Sequence, residues 1–442
     1  MIPDRRVRVT ALSVILVVLT IVLAFQAATA DPGGGTVVTN ERDDARNGTL
    51  IAVQSFGGFG QNNGKALIVE NGDVVWEYDP PNSRVFDVEV VDEGRIMASV
   101  ATDLDGEDCP EAVAGRDACV KNRIVEIDVE TKEVVWNYTW YDAFIHYHEV
   151  HDADRLENGN TAIIDMGNDR AFTVDRSGEI VWEWQAEEHI TPGTDFYEEY
   201  GGPEKEGPET DWTHMNDIDR LENGNFQLSI RNFDVLLEVD PETNDIVDVV
   251  GEPRGVEGND PVLHEQHNPH RLEEWGTVLV ADSEANRVVE LDVENETTVW
   301  VYGGEGTLNW PRDADRLPNG HTLITDSLGF RVIQVNETGD VVWEFHPKQG
   351  DKRGIPYEAD HIDLPEEPGG PPGWDLNMTD RSNGSAGGTS NVGPVEKVRA
   401  YALLYLPQWV ETPELVTLLL GVLLALGIVI DFAVLGVRRA VW

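Results

Sequence analysis

Two short segments hold six of the 11 histidines in the chain: HYHEVH, which begins at His146, and HEQHNPH, which begins at His264. A neutral imidazole can bind a metal ion, attack an electrophile or carry a proton, so such clusters favour a functional site. Seven histidines lie just before or at the start of predicted inner strands of a repeat: His146, His148, His151, His214, His264, His267 and His270. Their chemistry therefore depends on the elements that bring them together.

Those elements are short strands that recur along the chain. DADRLENGNTAIID at Asp152, NDIDRLENGNFQLSI at Asn216 and DADRLPNGHTLITD at Asp313 each contain an alternating strand, an Asn-Gly turn and a second strand. An Asn-Gly pair between alternating segments is a strong hairpin signal. Two further strands complete each unit, and the five full units begin near residues 86, 151, 216, 267 and 312. This pattern is typical of propeller blades.

A sixth unit is split between the two ends of the repeat region. Three strands between Thr49 and Asp79 have no inner strand before them, and ADHIDLPEE at Ala359 resembles NDIDRLENG at Asn216. We therefore predict an all-β fold, a six-bladed β-propeller over residues 48–365. In this fold a C-terminal strand completes the first blade and closes the ring.

Alignment of the units on the Leu before the turn puts four polar residues at one repeat position: His151, Asn216, His267 and Arg312. His214 precedes this position by two residues. Inner strands line the central channel of a propeller, so we expect these side chains to converge on one pocket. His264 and His270 lie outside the shared position, which favours one reactive histidine with two supporting neighbours over a run of three equivalent ligands.

Both ends of the chain are apolar and have basic residues on their outer sides. Residues 1–30 fit either a secretory signal peptide or an uncleaved membrane anchor, and residues 413–437 are long enough for a transmembrane helix. Residues 31–47 are a predicted linker, and residues 366–412 are a Pro/Gly/Ser-rich linker with a juxtamembrane segment. The tail 438–442 contains two arginines, which places it in the cytoplasm. We predict a cell-membrane protein with an extracellular propeller, and with both termini cytoplasmic if the N-terminal segment is uncleaved.

The extracellular placement predicts two covalent modifications. Cys109 and Cys119 are the only cysteines, and an oxidising compartment favours a disulfide between them. Six Asn-X-Ser/Thr sequons are candidate glycosylation sites. They are Asn47, Asn137, Asn295, Asn336, Asn377 and Asn383.

The charge balance is extreme, with 82 acidic against 32 basic side chains and a formal net charge of -50. Such a chain repels phosphates, which excludes unaided nucleic-acid binding. The acidic residues are spread along the whole sequence. An even acidic surface indicates a halophilic protein, because at molar salt the Debye length is only about 3 Å and the self-repulsion is screened.

Three segments resemble the histidine-bearing blades of the bacterial arylsulfate sulfotransferases that use no nucleotide sulfate donor. They are YHEVHDADRLENGN, DWTHMNDIDRLENGNFQLSIRNFD and EQHNPHRLEEWGTVLVAD. The resemblance extends over most of residues 49–365, and the Asp-Trp-X-His-X-Asn motif with Ser-X-Arg is its most specific part. It implies sulfuryl transfer from an aryl sulfate to a phenol, by a ping-pong mechanism through a sulfohistidine. No cofactor and no metal are expected, and the partners are small aryl sulfates and phenols.

The resemblance and the shared register assign roles to individual residues. His267 would be the nucleophile, and His151, His214 and Arg231 would be catalytic with it. Asn216, Arg312 and His148 would bind the substrate, and either His148 or His151 would face the sulfate. The residue types suit the chemistry, since arginines bind anionic oxygens through charge-assisted hydrogen bonds and a second histidine can move the proton.

Three other interpretations remain open at this stage. The blade ends DVETKEVVWNY and NETGDVVWEF resemble quinoprotein dehydrogenases, although those usually have eight blades. Neutral imidazoles in HYHEVH or HEQHNPH would also suit zinc or copper. A non-catalytic extracellular propeller that binds a ligand is the third, because fold alone does not establish catalysis.

Overall fold

The structure is a computed structural model that describes residues 5–29, 48–113, 117–253, 256, 261–304, 306–365, 368–376, 381–382, 394–407 and 410–440. The predicted linker 31–47 and the sequons at Asn47, Asn377 and Asn383 lie outside the described residues. Asn137 and Asn295 are exposed and Asn336 is half-buried. Their glycosylation stays a prediction.

The strands form six sheets, one for each blade of a six-bladed β-propeller. The chain begins with helix α1 (Arg5–Thr29), and blade 1 follows with β1 (Thr49–Phe56), β2 (Lys65–Glu70) and β3 (Asp73–Tyr78). Blade 2 contains β4 (Ser83–Asp92), β5 (Arg95–Asp105), β6 (Ala118–Asp128) and β7 (Val134–Asp142). Blade 3 contains β8 (Thr161–Asp165), β9 (Arg170–Val174) and β10 (Ile180–Gln185), and short helices α2 (Ala186–His189) and α3 (Asp195–Tyr200) follow it.

The second half of the chain continues the pattern. Blade 4 contains β11 (Met215–Arg220), β12 (Phe226–Ile230), β13 (Val235–Val239) and β14 (Ile246–Gly251). Blade 5 contains β15 (His267–Leu272), β16 (Thr277–Asp282), β17 (Arg287–Asp292) and β18 (Thr297–Gly303). Blade 6 contains β19 (Pro311–Arg316), β20 (Thr322–Asp326), β21 (Arg331–Val335) and β22 (Val341–Phe345). The remaining elements are β23 (Lys348–Gln349), β24 (Lys352–His361), β25 (Arg381–Ser382), α4 (Pro394–Leu404) and α5 (Thr412–Ala440).

The hairpins inside the blades turn at the Asn-Gly pairs that the sequence singled out. Gly159, Gly224 and Gly320 have φ values of +85°, +90° and +88°, and each donates its N–H to the carbonyl of the Leu three residues earlier. Glycine tolerates this left-handed conformation without a Cβ clash. The apolar cores lie between neighbouring sheets, where Trp184, Trp300 and Trp343 of the outermost strands are fully buried.

Carboxylates on the inner strands tie each blade to the next. Asp152 accepts a hydrogen bond from the backbone N–H of Ile218 at 2.6 Å, and Asp313 accepts one from Ala359 at 3.0 Å. The same contact joins Asp87 to Ala153 at 3.2 Å and Glu358 to Val88 at 3.2 Å. These bonds make Val88, Ala153, Ile218 and Ala359 equivalent positions.

The late strand β24 pairs antiparallel with β1, with Asp360 opposite Leu50 and Ala359 opposite Ile51. A residue-by-residue alignment of ADHIDLPEE with NDIDRLENG would put Ala359 at the position of Asn216. The interblade bonds put it at the position of Ile218, two residues away. The sequence alignment of this strand was therefore out of register, and the residue equivalent to Asn216 is Tyr357.

The disulfide and the two apolar terminal segments lie at the periphery of the fold. Cys109 and Cys119 form a disulfide with a Cα–Cα distance of 6.0 Å, which confirms the predicted bond. Within the described residues, one helix, Thr412–Ile430 of α5, is long and apolar enough to cross a membrane. The apolar part of α1, Leu12–Ala27, is shorter, and α1 packs against α5.

Candidate functional site

Six residues, one from the innermost segment of each blade, occupy a single register around the channel. In blade 3 this segment is not a strand but pairs with β8 through backbone hydrogen bonds of Asp152 and Asp154. In blades 1 to 4 this register lies two residues before the residue whose backbone N–H bonds to a carboxylate of the preceding blade. In blades 5 and 6 the register is assigned from the sequence alignment. We call these six residues the mouth ring, and none is more than 6% exposed. They are Phe86, His151, Asn216, His267, Arg312 and Tyr357. The four predicted residues thus share the ring with Phe86 and Tyr357, which the sequence reasoning missed.

Irregular strand pairing occurs at this register. The pairing of β11 with β12 shifts between Met215 and Asp217, and the pairing of β19 with β20 shifts between Pro311 and Asp313. Comparable shifts occur in β4, β15 and β24. A β-bulge allows two consecutive side chains to face the same side, which strict alternation forbids. Each of these five strands can therefore direct both a mouth-ring residue and the next residue towards the channel.

His267 is held in one tautomer. Its Nδ1 lies 2.8 Å from Ser283 Oγ, and this hydroxyl lies 2.6 Å from the carbonyl oxygen of Pro311. Because the single hydroxyl proton goes to Pro311, the hydroxyl accepts from Nδ1–H, and the Nε2 of His267 keeps its lone pair. Burial, followed by the nearby guanidinium groups of Arg312 and Arg231, lowers the pKa of His267 well below its usual value. The ring is thus a neutral imidazole with an available nucleophilic nitrogen.

Arg312 is a buried cation next to this imidazole. Its Nη1 donates to Gln54 Oε1 at 2.7 Å, and its guanidinium lies 4.4 Å from the ring centroid of Tyr357 and 4.8 Å from that of Trp310. Its Nε–H is buried and has no hydrogen-bond partner among the described residues. Burial lowers the pKa of Arg312 to about 10, so the group stays charged at neutral pH. The described part of the chain gives it no carboxylate within salt-bridge distance, which leaves its positive charge for a ligand.

Arg231 and His214 form a second group at the mouth. Arg231 follows β12 in a 3₁₀ turn and pairs with Glu265, while its buried Nε–H has no partner in the described structure. Both carboxylate oxygens of Asp211 lie within 2.9 Å of His214 Nδ1, so the ring donates its Nδ1–H to Asp211. Burial and the charge of Arg231 lower the pKa of His214, and Asp211 opposes them. The backbone of His214 has a φ of +47°, a strained left-handed conformation. This conformation places the His214 side chain next to the mouth ring.

His151 completes a row of three imidazoles. Its ring centroid lies 5.2 Å from that of His214, and the His214 centroid lies 6.3 Å from that of His267. His151 stacks on Phe86 and donates its Nδ1–H to the carbonyl of Glu149 at 3.1 Å. Burial lowers its pKa to about 3, so it is neutral in the ordinary pH range.

Asn216 belongs to the mouth ring and also bonds to the chain segment that carries His267. Its Nδ2 donates to the backbone carbonyl of Gln266 at 2.8 Å, directly before His267. The side chain is fully buried. This contact holds the start of β15, the strand that carries His267, whereas the predicted contact of Asn216 with substrate stays a prediction.

Tyr357 is the principal residue that sequence reasoning missed. Its ring centroid lies 6.0 Å from that of His267 and 5.5 Å from that of His151, and its buried hydroxyl has no hydrogen-bond partner among the described residues. Burial raises the pKa of its phenol, so the group remains a hydrogen-bond donor. The two-residue register error in β24 concealed it. Tyr357 lies two residues before Ala359, the same distance that separates the mouth-ring residues of blades 2 to 4 from their interblade hydrogen bonds.

The remaining histidines lie outside the ring. His148 lies 3.0 Å from Asp142 Oδ1; burial opposes its charged form, but Asp142 raises its pKa overall. His264 is beside Asp282 at 3.6 Å, and His146 is exposed. Between the two alternatives for the sulfate-facing residue, the geometry favours His151 over His148.

Below the mouth ring the same strands carry carboxylates. We call Asp87, Asp152, Asp217, Asn268, Asp313 and Glu358 the upper acidic ring. We call Glu89, Asp154, Asp219, His270, Asp315 and Asp360 the lower acidic ring. His270 Nδ1 lies 2.9 Å from Asp315 Oδ1, and burial lowers the pKa of His270 to about 3. Every carboxylate in these rings is less than 9% exposed, and burial raises the pKa of Asp87 to about 6 and of Glu89 to about 8.

The arrangement can bind an anion and transfer a group. Three buried donors around His267 lack partners within the described structure: Arg312 Nε–H, Arg231 Nε–H and the Tyr357 hydroxyl. A neutral imidazole nitrogen and a carboxylate-linked second histidine accompany them. No set of three or more His, Cys, Asp or Glu side chains in the described residues is arranged to hold a metal ion.

Comparison with known proteins gives one family. The sequence profile described as Arylsulfotransferase (ASST) matches residues 37–312. No curated protein matches the chain. Among solved structures, a protein of unknown function from Bacteroides caccae is 17% identical over 71% of this chain and 97% of that one, with a TM-score of 0.46. Virginiamycin B lyase from Staphylococcus aureus with quinupristin is 10% identical over 71% and 89% (TM-score 0.39), and a nidogen/laminin complex is 11% identical over 71% and 97% (TM-score 0.44). At these scores the structural matches carry no argument about this chain.

Proposed function

Because the chain belongs to the arylsulfotransferase family, whose profile matches residues 37–312, we propose that it transfers a sulfuryl group from an aryl sulfate to a phenol through a sulfohistidine at His267. Family membership by itself suggests a sulfotransferase enzyme. The ping-pong mechanism and the role of each residue are part of the proposal. The pairing of β24 with β1 also supports the prediction that a C-terminal strand closes the ring.

The observation that carries the proposal is the set of buried donors without partners. A buried hydrogen-bond donor without an acceptor costs about 1–3 kcal/mol, and more when it is charged. Arg312, Arg231 and Tyr357 each present such a donor near His267. The three oxygens of a sulfuryl group would satisfy them together, and the charge of Arg312 would stabilise the anion in a site shielded from water.

In the first half-reaction the lone pair of His267 Nε2 attacks sulfur. The sulfur–oxygen bond to the aryl group breaks, and its electron pair leaves on the phenolate oxygen. On the opposite edge of the His267 imidazole, Nδ1–H donates to the Ser283 hydroxyl, which donates in turn to the Pro311 carbonyl. Neutral His267 is the required form, since a protonated imidazole has no lone pair to offer.

A second histidine moves the proton, and His214 suits this role better than His151. The pKa of His151 is lowered to about 3, so it rarely gains a proton. At His214 the carboxylate of Asp211 opposes the effect of burial and supports the imidazolium form. His214 would protonate the leaving phenolate and then take the proton of the acceptor phenol. The acceptor oxygen then attacks sulfur, and the nitrogen–sulfur bond breaks with its electron pair returning to Nε2.

A donor-only experiment tests this mechanism. Incubation of the purified protein with 4-nitrophenyl sulfate and no acceptor should release about one equivalent of 4-nitrophenol and add one sulfuryl group to the peptide that contains His267. His264→Gln is a matched control, because His264 lies in the same segment but outside the mouth ring. It should retain both the burst and the label, whereas His267→Gln should lose both.

Two results would contradict the proposal. Steady turnover with no burst and no labelled histidine would exclude the sulfohistidine. Tight binding of 4-nitrophenyl sulfate without any release of phenol would instead favour the non-catalytic propeller.

A further inference from the structure

Helix α4 packs on the face of the propeller where the mouth ring opens. Its residues Ala400, Leu403 and Leu404 are buried against Leu328, Phe330 and Ile355. Leu328 lies in the 3₁₀ turn after β20, and the equivalent turns after β12 and β16 carry Arg231 and Ser283 of the site. The helix is therefore docked beside the mouth and not on the acidic end of the channel.

Arg353 fixes the chain segment between α4 and α5. Its Nη1 donates to the carbonyl oxygen of Leu403 at 3.0 Å, and its Nη2 donates to that of Val410 at 2.8 Å. Thr412 then begins the apolar helix Thr412–Ile430. The start of the membrane-length helix is thus held at a defined place on the mouth side of the propeller.

A second face of α4 is apolar and partly exposed. Val398 and Tyr401 are 69% and 46% exposed, and Tyr405, just after the helix, is 66% exposed. Intervals of three and four residues place these side chains on one side. Tyrosine is favoured at the boundary between bilayer and water, and Tyr405 precedes the first residue of α5 by seven positions. Continuity with α5 therefore identifies a lipid surface as the partner of this face.

A chain of aromatic contacts connects α4 with the site. The ring centroids of Tyr401 and Phe59 are 6.4 Å apart, and those of Phe59 and Trp310 are 5.7 Å apart. The ring centroid of Trp310 lies 6.5 Å from that of His267, and the guanidinium of Arg312 lies over the Trp310 ring. A cavity of about 40 Å³ has walls that include Tyr401 and Ala400 on one side and Trp310 and Ser283 on the other. Ser283 is the residue that orients His267.

We propose, building on the proposed function, that the phenolic acceptor is an amphiphile that enters from the bilayer surface between Tyr401 and Trp310. Its substrate class is a phenol with an apolar tail, which stays in the lipid while the ring reaches His267. A neutral phenol is not repelled by a chain with a net charge of -50, whereas a phenolate would be. The cavity must widen to admit a phenol ring, and half-exposed Tyr401 is its outer wall.

The position of α4 can be tested without any enzymatic activity. Both native cysteines are in the disulfide, so a nitroxide attached to Val398→Cys in the full chain reports one place. In phospholipid vesicles this label should be accessible to oxygen and shielded from a water-soluble nickel complex. The control is Val181→Cys on β10 of blade 3, across the ring from α4, with 51% exposure in the unmodified protein. A label at residue 398 with the same nickel accessibility as the control would overturn the proposal.

The acceptor class is tested with 4-alkylphenols from 4-methylphenol to 4-octylphenol in the same vesicles, with 4-nitrophenyl sulfate as donor. Each added CH₂ should raise kcat/KM about threefold to fourfold until partition is complete. The double variant Val398→Asp, Tyr405→Asp should lose at least tenfold of the preference for 4-octylphenol and keep its rate with phenol. Val181→Asp with Val247→Asp, two equally exposed positions on blades 3 and 4, should keep both.

The possible results separate this proposal from the proposed function. Equal kcat/KM along the alkyl series, with normal turnover of phenol, would overturn the amphiphilic acceptor and leave sulfuryl transfer intact. If no phenol is sulfated although the burst of 4-nitrophenol occurs, phenols are the wrong acceptor class and this inference fails with them. If the burst is also missing, the proposed function is wrong, and the nitroxide result alone decides whether α4 lies on lipid.

Discussion

The two ends of the innermost chain segments carry opposite chemistry although they belong to the same six segments. The mouth ring has two neutral histidines, and its arginine lacks a carboxylate partner and its tyrosine hydroxyl lacks a hydrogen-bond partner within the described part of the chain. The two rings beneath it are built mainly of carboxylates. A residue in the mouth ring and the next residue in the upper acidic ring are sequence neighbours, as with Arg312 and Asp313. The bulged pairing allows both to face the channel. A protein with a large negative charge thus places a buried cation, Arg312, at one end of its channel, as the proposed anion site requires.

The carboxylates beneath the site have two separate consequences. Those of the upper ring are structural, since Asp152 and Asp313 accept backbone hydrogen bonds from the next blade. Together the carboxyl groups also take up protons, because burial raises their pKa. An aryl sulfate that enters at the mouth would stop at the mouth ring, because the cationic guanidinium of Arg312 lies there and not among the carboxyl groups.

The largest expected effect comes from removal of the mouth-ring cation. Arg312→Met should lower kcat/KM for an aryl sulfate by about 10³-fold, equivalent to about 4 kcal/mol, because the developing charge loses its main donor. Stability should change little, since methionine can pack on the same aromatic rings. Kinetics with 4-nitrophenyl sulfate and urea unfolding measure the two quantities.

Arg170→Met provides the contrast for this variant. Arg170 is paired with Asp165 at 2.8 Å and Glu183 at 2.7 Å on blade 3. Its loss should lower stability and leave the kcat/KM of the folded protein unchanged. If Arg312→Met retains more than a tenth of the wild-type kcat/KM, the mouth ring is not an anion site.

The second effect is a pH dependence of stability that differs in sign between the two regions. Burial raises the pKa of Glu89 to about 8 and of Asp87 to about 6, so the folded state keeps protons that the unfolded chain loses. Their stabilising contribution is complete below the unfolded pKa near 4 and is lost as pH rises towards 8. We expect these two groups to lower the free energy of unfolding by about 5 kcal/mol between pH 5 and pH 8.

The mouth-ring histidines act in the opposite direction. The pKa of His151 is lowered to about 3, so the unfolded chain binds a proton below pH 6.5 that the folded chain refuses. Their contribution is lost as pH falls. Urea unfolding at several pH values measures both slopes. Glu89→Gln should flatten only the alkaline side and His151→Phe only the acidic side; the reverse pattern would contradict the assignment.

The third effect concerns the tautomer of His267. Ser283→Ala removes the acceptor of Nδ1–H, so the ring can rotate or protonate at Nε2, and the rate of the donor half-reaction should fall by about 30-fold, or about 2 kcal/mol. Ser327→Ala is a close control, because Ser327 Oγ donates to the Pro356 carbonyl at 2.7 Å in the next blade. It should leave the half-reaction unchanged. Equal loss in both variants would show that the serine acts on blade packing alone.

Most of the fold and part of the mouth ring could be predicted from the sequence. Six blades and the shared position of His151, Asn216, His267 and Arg312 follow from period-2 strands, Asn-Gly turns and repeat spacing. The disulfide follows from the presence of only two cysteines and the predicted oxidising compartment. Tyr357 was missed because β24 is separated from its blade by about 290 residues and lacks the Asn-Gly turn that anchors the alignment elsewhere. The bulges were missed because strict alternation gives one channel-facing residue in two. The partners of Arg231 and His214, Glu265 and Asp211, come from tertiary packing that no spacing rule encodes.

The smallest effect separates the two acidic rings. The side chains of Asp154 and Asp360 lie among other carboxylates, and each has a buried oxygen without a partner in the described structure. Replacing both by Asn removes the cost of keeping these buried carboxyl groups protonated and should raise the free energy of unfolding by about 1 kcal/mol at pH 7.5, with activity within twofold of wild type. Asp152→Asn weakens the acceptor of the Ile218 N–H and should lower stability by about the same amount. If both changes destabilise equally, the lower ring is structural like the upper one, and only the mouth ring is specialised for function.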